Sequence, residues 1–214
     1  MASDLHWTLW WQAALVGLSI AAPVGPIGLL TIQRSLNQGA AAGLATGLGA
    51  ALADAVYGAV AVFGVVAVMS WLSVWRQPLA LLGSGYLLWL AWQTWRLPMS
   101  SRAVQPVAVT ELLRCLAGTF VLTLTNPSTI LSFIAVFGAL AGQWTPAAAT
   151  PAPAWLLVGG VFCGSALWWL VLSQGVARLG NRFDAAWRQR VNQASALLMV
   201  GFAVFALFMT WRGV

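Results

Sequence analysis

Charged residues fall at few places along this chain, and long apolar windows separate them. No charge occurs from Leu5 to Gln33, with His6 counted as neutral, and from Ser35 to Trp75 there is only Asp54. Gln77–Trp95, Cys115–Ala177 and Val191–Trp211 are also free of charge. A spanning helix needs about 20 apolar residues, so each window accommodates one span. Cys115–Ala177 is longer and carries a Pro-rich break, "TPAAATPAPAW", which divides it into two. The pattern predicts six spans, near Leu9–Gln33, Ala40–Ser70, Leu79–Trp95, Cys115–Leu140, Ala154–Val176 and Val191–Trp211. The expected fold class is all-α, a polytopic membrane protein forming one transmembrane domain over residues 1–214.

Composition agrees with that class. Of 214 residues, 61% are hydrophobic and 7% charged, against about 25% charged in ordinary soluble domains. A net charge of +6 would suggest a nucleic-acid partner in a soluble protein. Here there is no Lys, and the Arg residues sit at span ends, where positive charge sets orientation. With the N-terminus outside, the cytoplasmic loops hold Arg34, Arg96, Arg102, Arg114, Arg178, Arg182, Arg188 and Arg190, and the outer side holds Arg76 and Arg212. Both termini are therefore expected on the outer side, with the lipid bilayer as partner and no nucleic acid. Most of the 14 Trp fall near predicted span ends and form the aromatic belt. The first apolar segment lacks a basic n-region and exceeds a signal-peptide core, so it reads as a retained span.

Two spans carry interruptions. Pro23, Gly25 and Pro26 break span 1, and Asn126-Pro127 breaks span 4, each near the middle of its span. Asn before Pro is an N-cap followed by an N1 proline, and Gly25-Pro26 reads the same way with a weaker cap. Each motif would end one half-helix and start another, aiming free N–H groups and a positive dipole end at the membrane centre. A carboxylate suits such a place. The alternative is a pair of kinks that only shape packing, since Pro and Gly are common in membrane helices. Weak similarity between "GPIGLLT" and "NPSTILS", and between "LGSGYLL" and "QASALLM", suggests two halves, about 5–97 and 111–212. Three spans per half is an odd number, so the second would insert inverted, a recurring transporter plan with its site between the repeats.

Asp54 is the one acidic residue within a predicted span. A carboxylate there costs about 2.5–3.5 kcal/mol on the insertion scale, so it should face protein or water. Gly47, Ala50, Gly58 and Ala61 on its face are all small, and Gly39, Gly43 and Gly47 add G-x-x-x-G steps that admit a close neighbouring helix. Tyr57, three residues on, is placed to share a hydrogen bond. A dry setting favours the protonated carboxyl and a nearby cation the ionised one, so Asp54 could bind a substrate ammonium, carry a proton, or do both in turn. A structural Asp bonding hydroxyls across an interface is the alternative. Thr31, Gln33, Thr123, Thr125, Ser128, Thr129 and Ser132 cluster around the breaks, although hydroxyls in membrane helices usually satisfy their own backbone. Gln174 and Asn192 are expected at the interface, and Gly160 and Gly164 in helix packing.

The motifs "PVGPIGLLTIQRSLNQGAAAGLATGLGAALADAVYGA", "GSGYLLWLAWQTWR" and "GTFVLTLTNPSTILSF" resemble the LysE/RhtB family of bacterial amino-acid exporters over nearly the full chain. The resemblance implies a small inner-membrane protein that exports amino acids or related small solutes, driven by the proton gradient. It points to Pro23, Gly25 and Pro26, to Asp54, and to Asn126 and Pro127. Ile27-Gly28 stands where the lysine-exporting branch often has polar residues, and Ser128 where many relatives have Lys. A neutral amino acid or another solute is thus open as substrate.

The expected function is secondary active export of a small zwitterion by proton exchange and alternating access, with Asp54, Pro23, Gly25, Pro26, Asn126, Pro127, Tyr57, Thr31, Ser128 and Thr129 at the substrate and proton site. A metal-cation carrier would need several carboxylates, Cys or His converging, and a thiol–disulfide carrier would need reactive Cys pairs. Cys115 and Cys163 are separated, and His6 is the one histidine. No enzymatic constellation, metal site or cofactor is expected. A homodimer is compatible with this reading.

Overall fold

A computed structural model describes residues 2–23, 25–63, 66–96, 107–126, 129–130, 132–133, 151–180 and 185–211. Among them the chain is helical throughout, with seven helices and no strand: α1 (Ala2–Ala21), α2 (Pro26–Gln38), α3 (Ala40–Val62), α4 (Val66–Arg96), α5 (Val109–Thr125), α6 (Pro151–Gly180) and α7 (Ala185–Trp211). Ala40–Val62 and Ala154–Leu179 are each long and apolar enough to cross a membrane. His6–Ala21 and Pro26–Gln38 meet the same measure together, as a pair bent by 80°. The described residues thus account for two or three of the six spans read from the sequence.

Small residues let these helices approach closely. A Cβ at Gly164 of α6 would run into the carbonyl oxygen of Ala14, and one at Gly17 of α1 into that of Val161. Gly49 of α3 stands in the same relation to the carbonyl of Leu116 in α5. Such contacts are how membrane helices associate without a hydrophobic drive between them. Many outward side chains are large and apolar, including Trp11, Leu15, Leu82, Val171 and Leu197, a surface suited to lipid and costly in water.

The chain turns from α2 into α3 on Gly39 alone, at φ 90°, a conformation that a side chain rarely allows. Two expectations about element ends are corrected. Span 2 was expected to reach Ser70, but α3 closes at Phe63, whose N–H bonds Ala59 O at 2.9 Å. The next helix, starting at Val66, absorbs the expected loop and all of span 3. Pro78 lies inside it and withholds one N–H without ending it. A charge-free window marks where the chain can be dry, not where its backbone ladder stops.

Arg34 is the other correction. It was assigned to a loop, yet it lies within α2 and is only partly exposed. Asn192, expected at the interface, is buried in α7 and accepts a bond from Asn37 Nδ2 at 3.0 Å.

Candidate functional site

Both sequence breaks are present in the backbone. α1 ends at Ala21, and Gly25 begins α2 in extended conformation, with Pro26 in its first turn and no side-chain cap. The first bond of the new helix runs from Leu29 N to Gly25 O at 3.1 Å. The amides of Ile27 and Gly28 therefore precede the point at which the helix can satisfy its own donors. In the second break, α5 stops at Thr125 and Asn126 is extended. The carbonyl of Asn126 accepts from Thr129 N at 3.1 Å and Ile130 N at 3.2 Å, so helix resumes beyond it.

The two breaks face one cavity of about 240 Å³. Pro23, Gly25, Pro26, Ile27 and Gly28 line it from the first break, and Thr123, Asn126, Thr129 and Ser132 from the second. Asp54 enters from α3, while Trp169 and Phe202 close it from α6 and α7. Among the described residues that line it, Asp54 is the one ionisable residue. The volume lies below the ~300–1,000 Å³ of drug-sized pockets and fits a small solute.

Asp54 is 3% exposed. Ser165 donates to its Oδ2 at 2.6 Å, and Trp169 Nε1 donates to Ser165 Oγ at 3.1 Å. This chain fixes the carboxyl on one side and leaves Oδ1 as its remaining acceptor. Small residues at Gly47 and Ala50 make room, since a Cβ at Gly47 would meet that of Trp169.

Of the residues expected from the sequence, Pro23, Gly25, Pro26, Asp54, Asn126 and Thr129 meet at this cavity. Tyr57 does not line it; its hydroxyl donates to Leu124 O at 2.6 Å and its ring stacks on Phe133. Thr31 is fully buried one turn farther along α2, its Oγ1 without a partner among the described residues. Pro127 and Ser128 lie outside the described residues. Thr123 and Thr125 bond carbonyls one turn back, at Thr119 and Val121, as hydroxyls in such helices do.

Sequence reading missed Ser165 and Trp169. Their signal was a hydroxyl at the middle of an apolar span, one helical turn before an indole.

A family model described as LysE type translocator matches residues 18–210. The "Uncharacterized membrane protein YahN" of Escherichia coli (strain K12) is 32% identical over 188 residues, covering 86% of this chain and 81% of the relative. No solved structure matches the chain significantly. The chain belongs to the LysE type translocator family, a family of membrane transporters.

Proposed function

We propose that this translocator is a secondary active exporter of amino acids or related small zwitterionic solutes, working by proton exchange and alternating access in the bacterial inner membrane. The observation that carries the reading is the cavity between the two breaks, with Asp54 as the one ionisable group on its wall among the described residues. A zwitterion has two ends, and the cavity offers a match for each. Asp54 Oδ1 suits an ammonium, and the leading amides of α2 suit a carboxylate, aided by the helix dipole. Proton and ammonium then compete for the same carboxyl, which couples their movement in opposite directions.

Helix packing supports two inverted halves of three spans each. α1 packs on α6 and α3 on α5, while α3 also packs on α6 and α4 on α7. Exchanging α1 with α5, α3 with α6 and α4 with α7 turns the first pair into the second and leaves the other two unchanged. The close glycine contacts follow the same exchange, with Gly164 against Ala14 and Gly49 against Leu116. On this plan both termini lie outside, and the site opens to one side at a time as the halves rock.

The test is profiling of the medium of cells producing the protein, against cells producing the Asp54→Asn form. An amino acid or similar zwitterion should accumulate outside only with Asp54 intact. No solute rising above the Asp54→Asn control would overturn the reading.

A further inference from the structure

A second cavity, of about 280 Å³, lies at the other end of α2. Its wall is polar and includes Gln33 and Arg34 of α2, Gln93 and Thr94 of α4, and Glu111 and Arg114 of α5. Arg114 is neutralised by Glu111, with which it forms an ion pair. Arg34 has no carboxylate partner among the described residues. Its Nη1 donates to Thr46 Oγ1 at 2.9 Å, Thr119 Oγ1 at 3.2 Å and Cys115 O at 3.3 Å, all neutral acceptors. The guanidinium is thus anchored through one nitrogen, and Nη2 and Nε keep their donors unengaged among the described residues. Together they form the side-on fork that matches a carboxylate bidentately. Beside them, Gln33 has its carbonyl occupied by Thr94 Oγ1 at 3.1 Å, which leaves its NH₂ as a donor.

We propose that this cavity is a second binding site, for a small carboxylate held by Arg34. The site stands on the anchored guanidinium, and the identity of its ligand as the transported solute rests on the exporter reading above. Arg34 lies seven positions beyond Ile27, which is on the wall of the first cavity, about 10 Å along the helix. Thr31 falls between them on the same face, fully buried, lining neither cavity and with no partner for its hydroxyl among the described residues. One helix, α2, therefore serves both cavities, one near each of its ends.

Cys115 lines this cavity and reports on it. In the full-length Cys163→Ala protein, purified in detergent, Cys115 is the single remaining thiol. It would be labelled with an anionic sulfonatoethyl methanethiosulfonate and, separately, with the uncharged methyl methanethiosulfonate. The thiolate forms a mixed disulfide with either reagent and expels methanesulfinate, so the rate ratio isolates the effect of the anion. Arg34→Gln should lower the anionic-to-neutral ratio about tenfold, and Arg34→Lys should retain most of it. Acetate should slow labelling relative to chloride at equal ionic strength, with no such effect in Arg34→Gln. A ratio unmoved by Arg34→Gln, or equal rates in acetate and chloride, would overturn the site. Should Arg34→Gln not fold, acetate competition in the Arg34 protein decides alone. No transport is measured, so failure of this site and failure of the export reading remain distinguishable.

Discussion

Ser165 Oγ lies 2.6 Å from Asp54 Oδ2 and donates its hydrogen to it, joining the carboxyl of α3 to α6 across a fully buried contact. Ser165 itself accepts from the Trp169 indole. The carboxyl is thereby held through Oδ2, on a residue that lines the cavity. Ser165→Ala should leave the Trp169 N–H unpaired and Asp54 less constrained. The expected cost is about 1–3 kcal/mol of stability, read as a lower melting temperature in detergent. Transport should fall as well, and Ser165→Thr should recover part of it.

Asp54→Asn preserves shape and removes the exchangeable proton. In proteoliposomes, transport driven by an imposed pH gradient should fall by more than about tenfold, equivalent to ~1.4 kcal/mol in barrier height. Normal transport with unchanged pH dependence would remove Asp54 from the mechanism.

The break at Gly25-Pro26 should tolerate little. Replacing Pro23, Gly25 and Pro26 together by Ala removes prolines that each cost a helix interior about 3 kcal/mol. Residues of α1 and α2 should then join into one helix, visible as increased helicity by circular dichroism. The protein should remain folded but lose transport, because the leading amides of α2 would be consumed by the helix. Retained transport in a variant shown to be continuous would contradict their role.

Tyr57→Phe tests a residue that supports the second break from behind. The ring can still stack on Phe133, but the bond to Leu124 O is lost. A destabilisation of about 1–2 kcal/mol is expected from the stranded interaction. The apparent affinity for solute should change less than the turnover, since Tyr57 does not touch the cavity.

Glycine substitutions should separate sharply by position. Gly164→Ala places a methyl against Ala14 O, and overpacking of this kind costs about 1–3 kcal/mol. Gly175→Ala, on the same helix, meets nothing within 4 Å and should leave the melting temperature unchanged or slightly raised. Equal effects from the two would disprove the close approach of α1 and α6.

Both cysteines are free, with Cys115 buried on α5 and Cys163 exposed on α6. Replacing both by Ala should leave export at its usual rate. Abolished transport in a stably folded double variant would revive the thiol–disulfide alternative.

The sequence by itself determined the membrane class, the positions of both helix breaks and the small-residue face around Asp54. Those features are local. Proline removes its own N–H, Asn and Gly govern the adjacent turn, and charge-free length is a property of the segment alone. Tertiary structure decided which groups meet. It brought the break at Gly25 and the break at Asn126 to one cavity, gave Asp54 a partner 111 positions away in Ser165, and directed Tyr57 to Leu124 rather than to the carboxyl. It also moved Arg34 from an expected loop charge to an anchored guanidinium between α3 and α5. The physical reason is that hydrogen-bond partners in a helical membrane protein are chosen by which helices pack face to face. Close approach at Gly17, Gly49 and Gly164 sets that choice among segments far apart in the chain.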